Sequence, residues 1–241
     1  MASQPLAIVT GAARRLGQNF AGLLAREGYA VLIHYLHSED QAQATAEGLR
    51  RGGTPVFLYQ ADLRDPDAIT GLFSEIDRLP HVLEVLVNSA GEMHPGDPRT
   101  LGVEDWDATL ELNLRAPFLC SQAAARRMTQ GGLIVNITDV AARKSWSRFA
   151  AYSVSKAGLE SLTRILARTY APGIRVNAIA PGLILRSVET PDDEWARLTN
   201  RVPLGRAGTP DELGAALEFL LHNDYVTGET LVVDGGYSLI G

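Results

Sequence analysis

A tyrosine and a lysine four residues apart, Tyr152 and Lys156, are the pair in this chain best suited to acid–base chemistry. On a helix, residues at this spacing share a face, so the two side chains would be neighbours. A free phenol titrates near pH ~10, and a nearby ammonium group favours the phenolate and lowers that pKa. We therefore expect the pair to exchange a proton near neutral pH. A Tyr-x-x-x-Lys spacing is common by chance, so its meaning depends on the residues that accompany it.

The segment from Thr10 to Gly17, Thr-Gly-Ala-Ala-Arg-Arg-Leu-Gly, directly follows a short apolar run. A turn from a strand into a helix leaves N–H groups without partners at the positive end of the helix dipole, where a phosphate binds well. Gly11 permits a tight turn, and Gly17 allows the helix to pack closely against it. The segment therefore predicts a turn that binds a dinucleotide.

The end of the second predicted strand indicates which dinucleotide is bound. NAD-binding proteins usually carry an acid there, about 20 residues past the glycines, to hold the ribose hydroxyls. This chain has Tyr35, His37 and Ser38 at the corresponding place, and its acids come later. An arginine in the turn, Arg14 or Arg15, can reach a 2′-phosphate instead. We therefore predict NADP(H) as the cofactor.

The elements that must position these residues alternate along the chain. Apolar runs predict strands at 6–10, 29–35, 55–59, 82–88, 131–138, 174–180 and 230–233. Helical spacing predicts helices at 16–27, 39–51, 66–78, 104–128 with a break at Pro117, 151–170, 191–200 and 210–221. Such a pattern fits a parallel sheet covered on both faces, either open or closed into an eightfold barrel. The glycine turn favours the open form, a single Rossmann-type, doubly wound α/β domain over residues 1–241 with about seven strands.

Composition excludes several classes of function. The 241 residues carry a net charge of −6, which argues against a nucleic-acid partner. No secretory signal and no run long enough to span a membrane is present, and Cys120 is the only cysteine. We expect a cytoplasmic protein with no metal site and a small-molecule substrate, in which Cys120 is a small buried side chain.

Further short motifs accompany the turn and the Tyr152/Lys156 pair, in a specific order and spacing. They are Asp62-Leu63, Asn88-Ser89-Ala90-Gly91, Asn113, Pro181-Gly182 and Asp234-Gly235-Gly236. With them the chain resembles the short-chain dehydrogenase/reductase family along nearly its whole length. The resemblance implies that Tyr152, Lys156 and Asn113 are catalytic, with Asn113 holding a water in a proton relay to Lys156. It also implies a homotetramer.

The resemblance assigns the cofactor contacts as well. Asp62 and Leu63 would border the adenine, Asn88, Ala90 and Gly91 would line the cleft, and the segment from Pro181 to Ile184 would cover the nicotinamide. The remaining cofactor-binding residues are those of the turn and of the end of the second strand, together with the catalytic pair: Gly11, Arg14, Arg15, Leu16, Gly17, Tyr35, His37, Ser38, Tyr152, Lys156, Gly182.

Two departures from the family pattern point to one branch, the pteridine reductases. Arg15 stands where a further glycine is usual, and Asp139 stands where the catalytic serine is usual, 13 residues before Tyr152. Both features, and the ending Asp-Gly-Gly-Tyr-Ser, resemble that branch. Where the branch carries an aromatic residue to stack on the pterin, however, this chain has Met93 or His94. The substrate residues implied are those of the active site and of a substrate loop at about 183–206: Met93, Asp139, Tyr152, Leu183, Trp195.

Chemistry agrees with the branch, because a serine hydroxyl can donate to a ketone oxygen whereas an ionised aspartate only accepts. An acceptor at Asp139 suits a pterin, which is rich in N–H donors and is reduced at a C=N bond. Two alternatives stay open: a reductase of ketones such as 3-oxoacyl thioesters or sugars, and a non-catalytic NADP-binding regulator. Intact Tyr152, Lys156 and Asn113 argue against the regulator.

Overall fold

Seven parallel strands form one sheet in the computed structural model of the chain, which describes residues 4–187 and 190–240. The strands are β1 Pro5–Val9, β2 Ala30–Tyr35, β3 Val56–Gln60, β4 Val82–Asn88, β5 Gly132–Ile137, β6 Ile174–Pro181 and β7 Thr230–Val233. Their order across the sheet is β3-β2-β1-β4-β5-β6-β7. The order reverses between β1 and β4, where a crevice opens at the carboxyl ends of the strands. The open, doubly wound sheet is confirmed, and the barrel is not formed.

Helices cover both faces of this sheet. They are α1 Arg15–Arg26, α2 Glu39–Arg51, α3 Pro66–Ile76, α4 Val103–Leu110, α5 Ala116–Ala125, α6 Ala150–Tyr170, α7 Asp192–Thr199 and α8 Pro210–His222. Successive residues of a strand point to opposite faces, so Ala7 and Val9 of β1 pack in one core with α1 and α8, whereas Leu6 and Ile8 pack in the other with α3 and α5. Cys120 lies fully buried in the second core. Among the described residues, no helix is both long and apolar enough to cross a bilayer.

The long helix expected at 104–128 is interrupted before Pro117. A single π-helical turn, Glu111–Arg115, separates α4 from α5. Pro117 stands in the first turn of α5, where its missing N–H leaves no hydrogen bond unmade. The widened turn carries Asn113, and π-helical turns often occur at functional sites.

Candidate active site and cofactor cleft

Tyr152 and Asp139 meet above the carboxyl end of β5. Tyr152 lies in the first turn of α6, and its Oη donates a hydrogen bond to Asp139 Oδ2 at 2.9 Å. The other carboxylate oxygen of Asp139 accepts from the backbone N–H of Ala141 at 2.7 Å. That bond caps a short 3-10 turn, Val140–Ala142, so the carboxylate is held in place by the backbone and faces the phenol.

Burial dominates the electrostatics of this group. It raises the pKa of Asp139 to about 6, although the hydrogen bonds from Ala141 and Tyr152 act in the opposite direction. Burial also lowers the pKa of Lys156 to about 8. The pKa of Tyr152 is raised well above 10, first by burial and then by the adjacent Asp139.

The expected lowering of the phenol's pKa by Lys156 is therefore wrong for this arrangement. Lys156 Nζ donates to the carbonyl of Ile137 at 2.9 Å and lies 5.6 Å from the centre of the Tyr152 ring. A carboxylate touches the phenol, whereas the ammonium does not, so Tyr152 is held in its protonated form. In this structure the phenol is the donor in its hydrogen bond with Asp139.

Asn113 joins the π-helical turn to the loop after β4. Its Oδ1 accepts from the backbone N–H of Glu92 at 3.0 Å, and its Nδ2 donates to the Glu92 carbonyl at 2.8 Å. A Cβ on Gly91 would lie 3.0 Å from Asn113 Oδ1 and 3.4 Å from Lys156 Nζ. Gly91, Asn113 and Lys156 therefore converge, as a relay would require, and the relay water itself stays a prediction.

Both positions of the turn require glycine, because other backbone atoms lie too close for a side chain. Gly11 has φ +64°, and a Cβ there would lie 2.9 Å from Ala90 Cα. A Cβ on Gly17 would lie only 2.3 Å from the Gly11 carbonyl oxygen. Any larger residue would push α1 away from the turn. The start of α1 has no side-chain cap and no acid in its first turn, which leaves its N–H groups available to an anion.

His34 supports this turn, and sequence reasoning missed it. Its Nδ1 accepts from the Gly11 N–H at 3.2 Å, so its Nε2 must carry the proton that bonds the Ala61 carbonyl at 3.0 Å. Burial lowers the pKa of His34 to about 4, which keeps the ring neutral. Tyr35, which is expected at the cofactor, packs beside Val31 and Ile33, and its contact with the cofactor stays a prediction. At the strand end the contact with the glycine turn is thus made by His34.

The two arginines of the turn have different surroundings. The guanidinium of Arg15 donates to the carbonyl oxygens of Leu185 at 3.1 Å and Arg186 at 3.2 Å, in the predicted substrate loop. Arg14 is exposed at the start of α1. His37 is exposed nearby, and Ser38 precedes α2. Arg15, one of the two arginines expected at a 2′-phosphate, is therefore hydrogen-bonded to the predicted loop.

Asp62, Leu63 and Asn88, which were also predicted to line the cleft, differ in how deeply they are buried. Asp62 accepts from the N–H of Arg64 at 2.9 Å after β3, and Leu63 is buried in the core. Asn88 lies beneath the cleft rather than at its surface, because its Nδ2 donates to Asn136 Oδ1 at 2.8 Å and to Ser121 Oγ at 3.1 Å. This network joins β4 to β5 and α5.

A small apolar cluster includes residues of the predicted substrate loop. Leu183 packs against Val140, Val202 and Tyr237, with Trp146 beside them. Gly182 is required where β6 ends, because a Cβ there would lie 2.6 Å from the Cβ of Asp234. Of the remaining predicted positions, Pro181 and Ile184 are buried, Leu16 and Trp195 are half buried, and Met93 is exposed. Positions 188 and 189 of the predicted loop lie outside the described residues.

The aromatic residues of this cluster were also not predicted. The Trp146 ring meets Tyr237 edge-on at 6.5 Å and Phe149 at 6.2 Å. Trp146 follows Asp139 in the same loop, and Tyr237 belongs to the C-terminal segment. Trp146 has no spacing that would mark it, and although Tyr237 belongs to the Asp-Gly-Gly-Tyr-Ser ending, the two rings are brought together only by the fold.

Comparison with known proteins finds relatives among reductases and dehydrogenases. A family model described as enoyl-(acyl carrier protein) reductase matches residues 11–238. The 3-oxoacyl-(acyl carrier protein) reductase FabG of Staphylococcus aureus is 33% identical over 95% of the chain and 96% of its own length. The (2S)-((R)-hydroxy(phenyl)methyl)succinyl-CoA dehydrogenase subunit BbsD of Thauera aromatica is 37% identical over 97% and 96%.

Among solved structures, the FolM alternative dihydrofolate reductase 1 of Brucella canis, complexed with NADP, superposes with a TM-score of 0.94. It is 32% identical, and the match covers 100% of this chain and 96% of that one. The relatives by sequence are thus named for carbonyl and hydroxyl chemistry, and this structural neighbour is named for reduction of dihydrofolate.

Proposed function

We propose that this chain, which belongs to the short-chain dehydrogenase/reductase family, reduces a dihydropterin with NADPH. Membership in the family makes the protein an oxidoreductase. The finer assignment of the substrate rests on one observation, the hydrogen bond that the half-buried Asp139 carboxylate accepts from Tyr152.

The cofactor assignment is supported by the shape and charge of the turn. Gly11 and Gly17 let the turn pack closely against Ala90 and against α1, and the uncapped start of α1 offers N–H donors. Arg14 is exposed beside this point and is free to meet a 2′-phosphate. The structural neighbour from Brucella canis was solved with NADP. NADPH, when bound, supplies the hydride.

The substrate assignment follows from the hydrogen-bonding direction at Asp139. A ketone oxygen accepts hydrogen bonds, and an ionised carboxylate beside it would repel it. The amino group and ring N–H of a pterin donate, and they would satisfy the buried acceptor. The dihydrofolate named for the neighbour contains the same dihydropterin ring.

Proton transfer is the chain's own part of the reaction. Tyr152, held protonated by its surroundings, donates its phenolic proton to the nitrogen of the C=N bond. The backbone N–H of Ala141 fixes Asp139, and Asp139 in turn orients the phenol toward the substrate. Lys156, near Gly91 and Asn113, lies where a proton can be passed back toward the phenol through water.

A 3-oxoacyl thioester is the second candidate substrate, and sequence similarity favours it. FabG matches nearly the full chain at 33% identity. For this chemistry Asp139 would have to act as a protonated donor, and its pKa of about 6 makes that form a minority at neutral pH. A homotetramer, a cytoplasmic location and a substrate loop at about 183–206 stay predictions.

NADPH oxidation by the purified protein tests the proposal. The substrates are 7,8-dihydrobiopterin, dihydromonapterin and dihydrofolate, with acetoacetyl-CoA as the ketone control. We expect turnover of the pterins and little of the thioester. Turnover of acetoacetyl-CoA alone would overturn the pterin assignment and leave the family assignment standing.

A further inference from the structure

Arg64 and Glu92 form an ion pair between the loops that follow β3 and β4. Arg64 Nη2 lies 2.6 Å from Glu92 Oε2, and both residues are half buried. Neither residue belongs to the motifs that predicted the site. A partly exposed pair contributes little to stability, so stability alone does not account for it. Its position indicates another role, because Asn113 holds the backbone of the same Glu92.

The contacts around this pair form a closed ring. Asn113 bonds the backbone N–H of Glu92 at 3.0 Å and its carbonyl at 2.8 Å. Two residues later, in the same π-helical turn, the guanidinium of Arg115 donates to the main-chain carbonyl of Arg64 at 2.6 Å. Arg64 is thus bonded to both segments that fix Asn113: its side chain to the loop after β4, and its carbonyl to the π-helical turn.

The π-helical turn is a place where such support matters. Its hydrogen-bonding pattern is rare and interrupts the regular helix between α4 and α5. Asn113 is buried in it, and its Nδ2 also donates to Ser155 Oγ at 3.3 Å, one residue before Lys156. A shift of Glu92 would therefore move Asn113 relative to Lys156. A misplacement of about 1 Å can cost ~100-fold in rate.

We propose that Arg64 and Glu92 are positioning residues, whose ion pair keeps Asn113 aligned with Lys156. The alignment serves the return of a proton through water to Tyr152 after each turnover. The part of Asn113 in proton return rests on the proposed function, whereas the ring of contacts does not.

Arg64→Met and Glu92→Met, made singly and together, break the ion pair and keep side chains of similar length. Arg99→Met is the matched control, because Arg99 forms an exposed ion pair of the same length, 2.6 Å, with Asp97 in the same loop after β4. Amide hydrogen exchange by mass spectrometry measures the mobility of residues 111–115. Steady-state kinetics with NADPH, and with whichever of 7,8-dihydrobiopterin and acetoacetyl-CoA is turned over, give kcat, KM and the solvent deuterium isotope effect on kcat.

In both single variants we expect exchange in the π-helical turn to rise about fivefold, the factor that a partly exposed ion pair can supply. The kcat should fall about tenfold with KM within twofold, because the relay is misplaced whereas the substrate contacts are kept. The solvent isotope effect on kcat should increase, since proton return would then limit turnover. The double variant should lose no more than either single variant, because each already breaks the same pair. Arg99→Met should match the parent in every measurement.

Unchanged exchange at residues 111–115 in both single variants would overturn the ring of contacts, whatever the substrate. Raised exchange with an unchanged kcat and isotope effect would refute the positioning role. Turnover of acetoacetyl-CoA alone would defeat the pterin assignment but not this test, since both substrates take a proton from Tyr152.

Discussion

The phenol of Tyr152 donates its hydrogen bond to the Asp139 carboxylate at 2.9 Å, so an acceptor stands where a ketone reductase would need a second donor. Burial raises the pKa of Asp139 to about 6, although the hydrogen bond from Tyr152 acts in the opposite direction. Burial and the adjacent Asp139 both raise the pKa of Tyr152. Under the proposed function, this one contact sets the direction of proton donation and the hydrogen-bonding character of the substrate that fits beside it.

Removal of the phenolic hydroxyl is expected to stop the reaction and leave the cofactor bound. In Tyr152→Phe, kcat should fall by about 10²–10⁴-fold, the usual contribution of a positioned general acid. The ring and its packing on α6 are kept, so the Kd for NADPH should stay within twofold. Turnover within a factor of ten of the parent would show that another group delivers the proton.

Replacement of the carboxylate is expected to change substrate preference. Asp139→Ser puts a hydroxyl donor beside Tyr152, which should lower kcat/KM for dihydropterins and raise it for acetoacetyl-CoA. Asp139→Asn keeps the size of the side chain and removes its charge, so it separates loss of the charge from loss of volume. If the ratio of the two kcat/KM values is the same in all three proteins, Asp139 does not select the substrate.

The glycines of α1 provide a matched pair that separates the cofactor turn from general helix stability. A Cβ at Gly17 would lie 2.3 Å from the Gly11 carbonyl oxygen, whereas at Gly22 the nearest atom is the end of the Arg26 side chain at 3.7 Å. Gly17→Ala should lower the free energy of unfolding by about 1–3 kcal/mol and weaken NADPH binding, because α1 must move. Gly22→Ala should raise that free energy by up to about 1 kcal/mol, since alanine favours a helix. Urea unfolding and NADPH titration measure both, and equal effects would contradict the close-approach argument.

Local signals in the sequence predict most of the elements but not the side-chain directions within them. The strand β2 is buried along its whole length, so its apolar residues show no alternation that would say which face His34 occupies. The contacts of His34 with Gly11 and Ala61 depend on the positions of β1 and β3, the two strands beside β2. The π-helical turn at Glu111–Arg115 is likewise invisible, because proline marks a helix start as readily as a break.

Contacts between distant segments are the other part that sequence does not provide. The turn that contains Arg15 was predicted from its glycines, yet the partners of that side chain stand 170 and 171 residues later. The pairing of Asp139 with Tyr152 could be anticipated from the resemblance. That Lys156 does not lower the pKa of the phenol could not. It depends on the Ile137 carbonyl, which takes the ammonium's hydrogen bond.

Two buried groups are expected to affect stability in opposite directions between pH ~4 and ~6. The pKa of Asp139 rises from 3.8 to about 6 on folding, so the native state binds more protons there and stability falls as pH increases. The pKa of His34 falls from 6.5 to about 4, so the unfolded state binds more protons and stability rises as pH increases. Each shift of about two units corresponds to roughly 3 kcal/mol, and the two nearly cancel in the parent protein.

Uncharged variants should reveal the two slopes separately. Relative to the parent, Asp139→Asn should gain roughly 3 kcal/mol of unfolding free energy between pH ~4 and ~6, because the group that loses stability with rising pH is gone. His34→Gln should lose about as much over the same interval. Urea unfolding at pH 4, 5 and 6, extrapolated to water, gives the three curves, and the other titrating groups contribute equally to each. Parallel curves would mean that neither group is perturbed as its burial requires.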